Sequence, residues 1–447
     1  MTRKWMTAAA VAAAWMVSAC GGGSDGRFEY ANALDSAFGS GGVVRQGTGV
    51  SAKAYVDNFS AAGLDLDSSG RIVTVGRRQS SEVTGIWLQR FSSTGSLDER
   101  CGTGGWVSHS DADPFVPRFV RAMPDGRYAV AGLLPYSSIV MFRSDCTVDT
   151  SFGTNGVAST ERFFASPIVG MDVGTDGRLT VVMDATTAGS KIAVARFLAS
   201  GQLDTSFGEG QGSVMLDEPD RGGVVTTALA VRPNGKIVLG ATFDYGLQAG
   251  VWTGMIQLLP DGRLDTSFGT RGAYSVRISG KMRAASGPMV LLPDGSAILA
   301  GYVNETLFGD LLIGADSFWL KVDSNGRPVN GFGDQGNGQL VWNAGPAGHK
   351  SGNFMALMTL APDGSLVDCQ NWTNNTSTVV GLNFVQQAIV TRRSAATGAV
   401  LAGPGTVKME DDRPAFCRGM SFDRDGRPHV VVDHNSITGY TIARLKL

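Results

Sequence analysis

Leu203-Asp204-Thr205-Ser206-Phe207-Gly208 recurs letter for letter as Leu264-Asp265-Thr266-Ser267-Phe268-Gly269, and this repetition decides the fold. Degraded copies read LDSAFG from Leu34, LDERCG from Leu97, VDTSFG from Val148 and VNGFG from Val329. A second cassette interleaves with the first: an apolar residue, two free positions, Asp or Asn, glycine, a polar residue, then an apolar-x-apolar run. Its glycines are Gly70, Gly126, Gly177, Gly235, Gly295, Gly364 and Gly426, spaced by 51 to 69 residues, so the chain holds seven copies of one unit. A fixed period of this size settles the architecture before any local assignment.

The turns say what each unit builds. Asp-Gly or Asn-Gly between apolar runs, as in Val231 to Leu239, Met123 to Val130 and Leu292 to Leu299, signals a hairpin. An alternating run follows, such as Ile192 to Phe197, Ile86 to Phe91 or Ser317 to Val322, and predicts a third strand. The LDxSFG cassette then turns the chain into a fourth, as at Gly42 to Val44 or Ala273 to Val276. Four antiparallel strands per unit, seven times over, predict an all-β, seven-bladed β-propeller. The chain ends on a third-strand pattern, Tyr440 to Leu447, and the cassette due next stands at Leu34 to Gly39. The N-terminal segment is therefore expected to complete the last blade and close the ring, which removes exposed sheet edges.

The central units, with DGRLDTSFGTRG at Asp261 to Gly272 and PNGKIVLG at Pro233 to Gly240, resemble the delta-60 repeat family. The resemblance covers roughly Ala31 to Leu447 and implies a propeller and an exported location, without an activity or catalytic residues to carry over. The pattern drifts in the last units: after Arg392 the cassette gives way to Ala399-Val400-Leu401-Ala402-Gly403.

Composition agrees with a repeat array. Charged residues are 17% of 447 and glycines number 61, which suits short strands and tight turns. Lys and Arg total 38 against 40 Asp and Glu, so no net field draws nucleic acid or an anionic membrane. Arg3 and Lys4 precede an apolar stretch, Met6 to Val17, that ends in Val17-Ser18-Ala19-Cys20. That order reads as an export signal too short to span a bilayer stably. It resembles the bacterial lipobox, giving a signal peptide over 1–19, a lipidated Cys20 with a Gly/Ser tether over 20–30, and the repeat domain over 31–447. Gly21 rather than Asp after the cysteine favours the outer membrane by resemblance to Gram-negative lipoproteins.

Export would place Cys101, Cys146, Cys369 and Cys417 in an oxidising compartment. Four cysteines allow three pairings, or none. Cys101 replaces the Phe of one cassette and Cys146 sits in the turn before the next, so a bridge between adjacent units is reasonable. Cys369 and Cys417 likewise fall in neighbouring units. Distances between Cα atoms decide the matter, and sequence does not supply them.

Strand alternation puts both cassette turns on one rim and the variable connections on the other. Loops that vary tend to carry recognition. The aromatic residues there, Phe243, Tyr245, Tyr302, Phe308, Trp342, Trp372 and Phe384 with His349 nearby, are candidate anchors for an envelope protein or a polysaccharide. The opposing reading has them filling gaps between blades. No GxSxG, SxxK or HExxH motif is present. Of the four histidines, His109, His349, His429 and His434, the last two are five apart on an expected strand and point to opposite faces. Asp65 to Gly70 looks like the start of a calcium loop, but its twelfth position is Gly76 rather than a bidentate Glu. The cassette Asp is read as a turn cap. No cofactor, metal or nucleic acid is expected, and a monomer is. An enzymatic alternative places glycan hydrolysis or lyase chemistry at the central channel mouth, on acidic residues such as Asp111, Asp113, Glu161, Asp217 and Glu218.

Overall fold

In the first unit the strands Asp57–Leu66, Ile72–Ser80, Thr84–Phe91 and Trp106–His109 pair antiparallel in chain order. The computed structural model describes residues 34–46, 57–80, 84–109, 115–134, 136–159, 167–183, 192–216, 223–278, 281, 283–304, 315–342, 351–375, 384–407, 416–433 and 439–447. Cys20, the leader and the tether lie outside them. The Asp/Asn-Gly turns close the hairpins as the sequence requires: Gly126 takes a φ of 85°, open to glycine at no steric cost, and donates its N–H to Met123 O.

The described strands form six sheets, five of four strands and one of eight. In the large sheet, the set beginning with Gly223–Val231 joins the set beginning with Arg283–Leu291 through one parallel bridge, Val251 with Arg283. Seven separate blades were expected; this parallel approach merges two of the four-strand sets into one sheet. The last four-stranded sheet draws on both ends of the chain. Val43–Gln46 pairs antiparallel with Tyr440–Arg444, Val43 opposite Ala443, and the Asp35 N–H donates to Arg444 O at 2.8 Å.

Core clusters span successive units. Phe152 and Ile139 of the second unit share a cluster with Leu179 and Val181 of the third. In the same way Phe38, Val431 and Tyr440 pack with Leu64, Ile72 and Trp87 of the first unit. Each fully buried phenylalanine of this kind stabilises by roughly 1.5–3 kcal/mol. Middle strands lie between neighbours on both faces, so Leu179–Met183 is buried at every residue.

The first strand of every unit faces its counterparts around a common centre. Each carries a register shift at the same level: between Ala61 and Gly63, Pro117 and Phe119, Ile168 and Gly170, Thr226 and Ala228, Ser286 and Met289, Met355 and Leu357, and Cys417 and Gly419. Bulges of this kind re-aim a side chain and increase twist. The only helix among the described residues is Gly246–Ala249, and none there is long and apolar enough to cross a membrane.

Candidate functional site

The cassette rim is occupied by its own bonding. The last glycine of each cassette donates its N–H to a turn carbonyl of the next unit: Gly39 to Thr94, Gly102 to Asp145, Gly153 to Ser200, Gly208 to Asp261, Gly269 to Asn325 and Gly333 to Thr397, all at 2.7–3.0 Å. The cassette Asp caps its turn and does more. Asp204 accepts the Ser206 N–H at 3.0 Å and also takes Arg196 from the third strand and Arg178 from the hairpin turn. Arg196 then reaches Pro260 O of the next unit at 2.8 Å. Arg444 repeats the arrangement, on Asp35 at 2.9 Å and Ser93 O at 3.0 Å. Burial works to raise the Asp265 carboxyl, but hydrogen bonds from Lys236, Ser267 and Gln257 hold it well below the usual carboxylate range. These carboxylates tie each cassette to its own unit through ion pairs.

Both cysteine bridges between neighbouring units are formed. Cys101 joins Cys146 with Cα atoms 5.0 Å apart, and Cys369 joins Cys417 at 6.3 Å.

A cavity of about 520 Å³ lies at the centre, lined by all seven first strands. Its charged residues are Asp65, Arg118, Arg121 and Arg418. Asp65 accepts the N–H groups of Leu66 and Ala122 at 2.9 Å and the Ser421 hydroxyl at 3.1 Å. It therefore clips the first unit to its neighbours. Among the described residues no group of three or more His, Cys, Asp or Glu is placed to hold a metal ion. Arg118 and Arg418 escaped the sequence reading; the available signal was an arginine at the third position of a mostly apolar first strand.

A second pocket, about 260 Å³, opens on the variable rim between the fourth and fifth units. Gly223, Val224, Val225, Thr242, Asp244, Val251 and Arg283 line it. Tyr245 stands beside it, edge-on to Trp252 at 5.1 Å, with its hydroxyl 3.0 Å from Ser275 Oγ. The Trp252 indole N–H donates to Ala249 O and pins the short helix.

The expected aromatic face is not assembled as one surface. Phe243 and Trp372 are each 1% exposed, because both sit on middle strands covered by neighbouring units. Trp342 packs 6.4 Å from Trp319 and lies under the Arg393 guanidinium at 4.4 Å, a packing role. Tyr302 is half-buried on Ala297–Asn304. Phe384 belongs to the strand Phe384–Arg393, but its side chain is outside what is described, as are Phe308, His349 and His434. The acidic residues Asp111, Asp113, Glu161, Asp217 and Glu218 also lie outside the described residues. His429 is buried, with its ring edge against Phe38 at 5.2 Å.

A family model described as a domain of unknown function (DUF5122) beta-propeller matches residues 175–207 and 232–268, the stretch with the most faithful cassettes. No curated protein matches the chain. Among solved structures, an ulvan lyase of a polysaccharide lyase family is similar at 9% identity over 90% of this chain and 96% of its own, with a TM-score of 0.50. The β-propeller domain of the Trilobed protease from Pyrococcus furiosus aligns over 87% of this chain and 94% of its own, at 8% identity and a TM-score of 0.47. An endo-arabinase from Bacteroides thetaiotaomicron aligns over 62% and 93%, at 14% and 0.34. At such identities the likeness concerns the fold alone, an all-β propeller.

Proposed function

We propose that this β-propeller is a non-enzymatic binding module of the bacterial cell envelope. In this reading its seven four-strand units close into a ring through the N-terminal strand. Lipidated Cys20 anchors it at the outer membrane, and the variable rim engages an envelope protein or polysaccharide. The carrying observation is the contrast between the rims. On the cassette rim, aspartates, arginines and glycine N–H groups bond from unit to unit. On the other, the pocket at Asp244 and Arg283 is open, with Tyr245 and Trp252 beside it. Paired aromatic rings next to charged groups suit an anchor for a partner.

The enzymatic alternative needs two carboxylates about 5–10 Å apart around a scissile bond. The one carboxylate described on the central cavity, Asp65, already accepts three hydrogen bonds. The test is capture from native envelope extract and on a polysaccharide array, comparing wild type with a folded Tyr245→Ala, Arg283→Ala variant. Retention by wild type alone supports the rim as the binding face. Equal retention by both proteins would sink it.

A further inference from the structure

We propose that the central cavity is a carboxylate-binding site, separate from the rim, in which Arg118 and Arg418 grip the anion. Both residues occupy the bulge of a first strand, where other units place Val169, Thr227 or Ala356 on the cavity wall. Their strands, Val116–Ala122 and Phe416–Phe422, flank Asp57–Leu66 on either side. That middle strand is closely packed against both. A β-carbon on Gly63 would come within 3.3 Å of Val120 N, and one on Gly419 would collide with Leu64 N. Glycines at these contacts draw the two arginine-bearing strands onto one side of the cavity.

The lining carries more positive than negative charge. Among the described residues Arg118 makes no hydrogen bond or ion pair, and it is exposed. Arg418 forms a long ion pair, Nη2 3.6 Å from Asp433 Oδ2, and lies over the Phe416 ring at 5.3 Å, with the side chain 41% exposed. Arg121 adds a third guanidinium, one nitrogen of which donates to Val120 O. Asp65, bonded to the Leu66, Ala122 and Ser421 donors, is the one carboxylate lining the cavity among the described residues, against three guanidiniums. Low-dielectric walls focus an unbalanced positive field, and guanidinium forks match carboxylates bidentately. The volume falls in the range of small-molecule sites, roughly 300–1,000 Å³. Its occupant is a carboxylate on a compact carbon frame, from either a free organic acid or a uronate at the end of an oligosaccharide.

Titration calorimetry of the disulfide-intact protein tests this, with tricarballylate and trigalacturonate as probes and galactotriose as the uncharged control. The expected result is saturable, salt-sensitive binding of at least one acidic probe, weakened about ten-fold or more by Arg118→Ala and by Arg418→Ala. Binding of trigalacturonate alone identifies an oligosaccharide, and of tricarballylate alone a free acid. Arg118 has no bonds to lose, so its variant keeps the wild-type melting midpoint and remains a test should Arg418→Ala fail to fold. No binding of either acidic probe, equal binding of galactotriose, or undiminished binding by Arg118→Ala would overturn the proposal.

Discussion

The disulfide between Cys101 and Cys146 stands where five other cassette junctions set a phenylalanine against a glycine. At those junctions a β-carbon on the glycine would come within 2.8–3.3 Å of the ring: Gly95 at Phe38, Gly201 at Phe152, Gly262 at Phe207, Gly326 at Phe268 and Gly398 at Phe332. Cys146 keeps the glycine's left-handed backbone, with a φ of 70°, and Cys101 keeps the buried cassette position. One covalent bridge thus replaces a ring-on-backbone contact without changing the junction's geometry.

Exchange of the pair should therefore restore the repeat's ordinary junction. Cys101→Ala alone removes both bridge and filler and is expected to cost about 2–4 kcal/mol. The double variant Cys101→Phe, Cys146→Gly should recover most of that loss and make this junction indifferent to reductant. Urea denaturation with and without dithiothreitol measures both, in a background lacking the Cys369–Cys417 bridge. A double variant no more stable than Cys101→Ala would mean the two junction types are not interchangeable.

Much of this arrangement was legible from sequence because turns are local. Asp125-Gly126 and Leu203 to Gly208 encode their own backbone, and the spacing of such pairs encodes the repeat. The aromatic face was misjudged at Phe243 and Trp372 for a non-local reason. Middle strands are covered by neighbouring units on both sides, so period-two alternation carries no information about which face is wet. Arg118 and Arg418 were missed because a bulge inserts one residue and resets the alternation beyond it. The cysteine partners needed Cα distances.

The sixth unit, where the LDxSFG cassette is replaced, buries an ion pair at the third-strand position that holds Phe91 or Phe197 in other units. Arg393 pairs with Asp368 at 2.9 Å, both buried, beneath the rings of Trp319 and Trp342. Burial pushes the Asp368 carboxyl up, opposed by Arg393 and by the Gln370 amide at 2.7 Å. Asp368→Ala should cost about 3–5 kcal/mol, since it strands a buried guanidinium. Asp368→Leu with Arg393→Met should cost far less. Chemical denaturation compares them; equal losses would show that the pair itself, rather than the orphaned charge, matters.

Acid should loosen the cassette rim. The Asp98 carboxyl is held at about 2, first by its hydrogen bond from Arg100 and then, against burial, by Arg90. Its folded value lies below the unfolded one, about 3.9. The pair's contribution is therefore complete above pH 4 and lost as the pH falls toward 2. The stability gap between wild type and Asp98→Asn should narrow over that interval. A gap unchanged from pH 7 to pH 2.5 would contradict the assignment.

His429 should weaken the fold at milder acidity, through the opposite state. It is 1% exposed, and neither ring nitrogen has a hydrogen-bond partner among the described residues. Burial lowers its pKa to about 4; nearby Asp423 and the Arg427 backbone oppose the shift, and the charges of Arg444 and Arg427 add to it. The folded state therefore keeps the neutral ring while the unfolded chain takes up a proton near pH 6.5. Stability from this group is intact above that pH and is lost as the pH falls toward 4, by about 2 kcal/mol at pH 5. His429→Leu removes the titration, fills a similar volume and leaves no unpaired nitrogen. The variant should match or exceed wild type at pH 7.5, and its advantage should grow by that amount at pH 5.0 in paired urea titrations. An advantage that does not change between the two pH values would mean that His429 finds a proton partner in the folded protein.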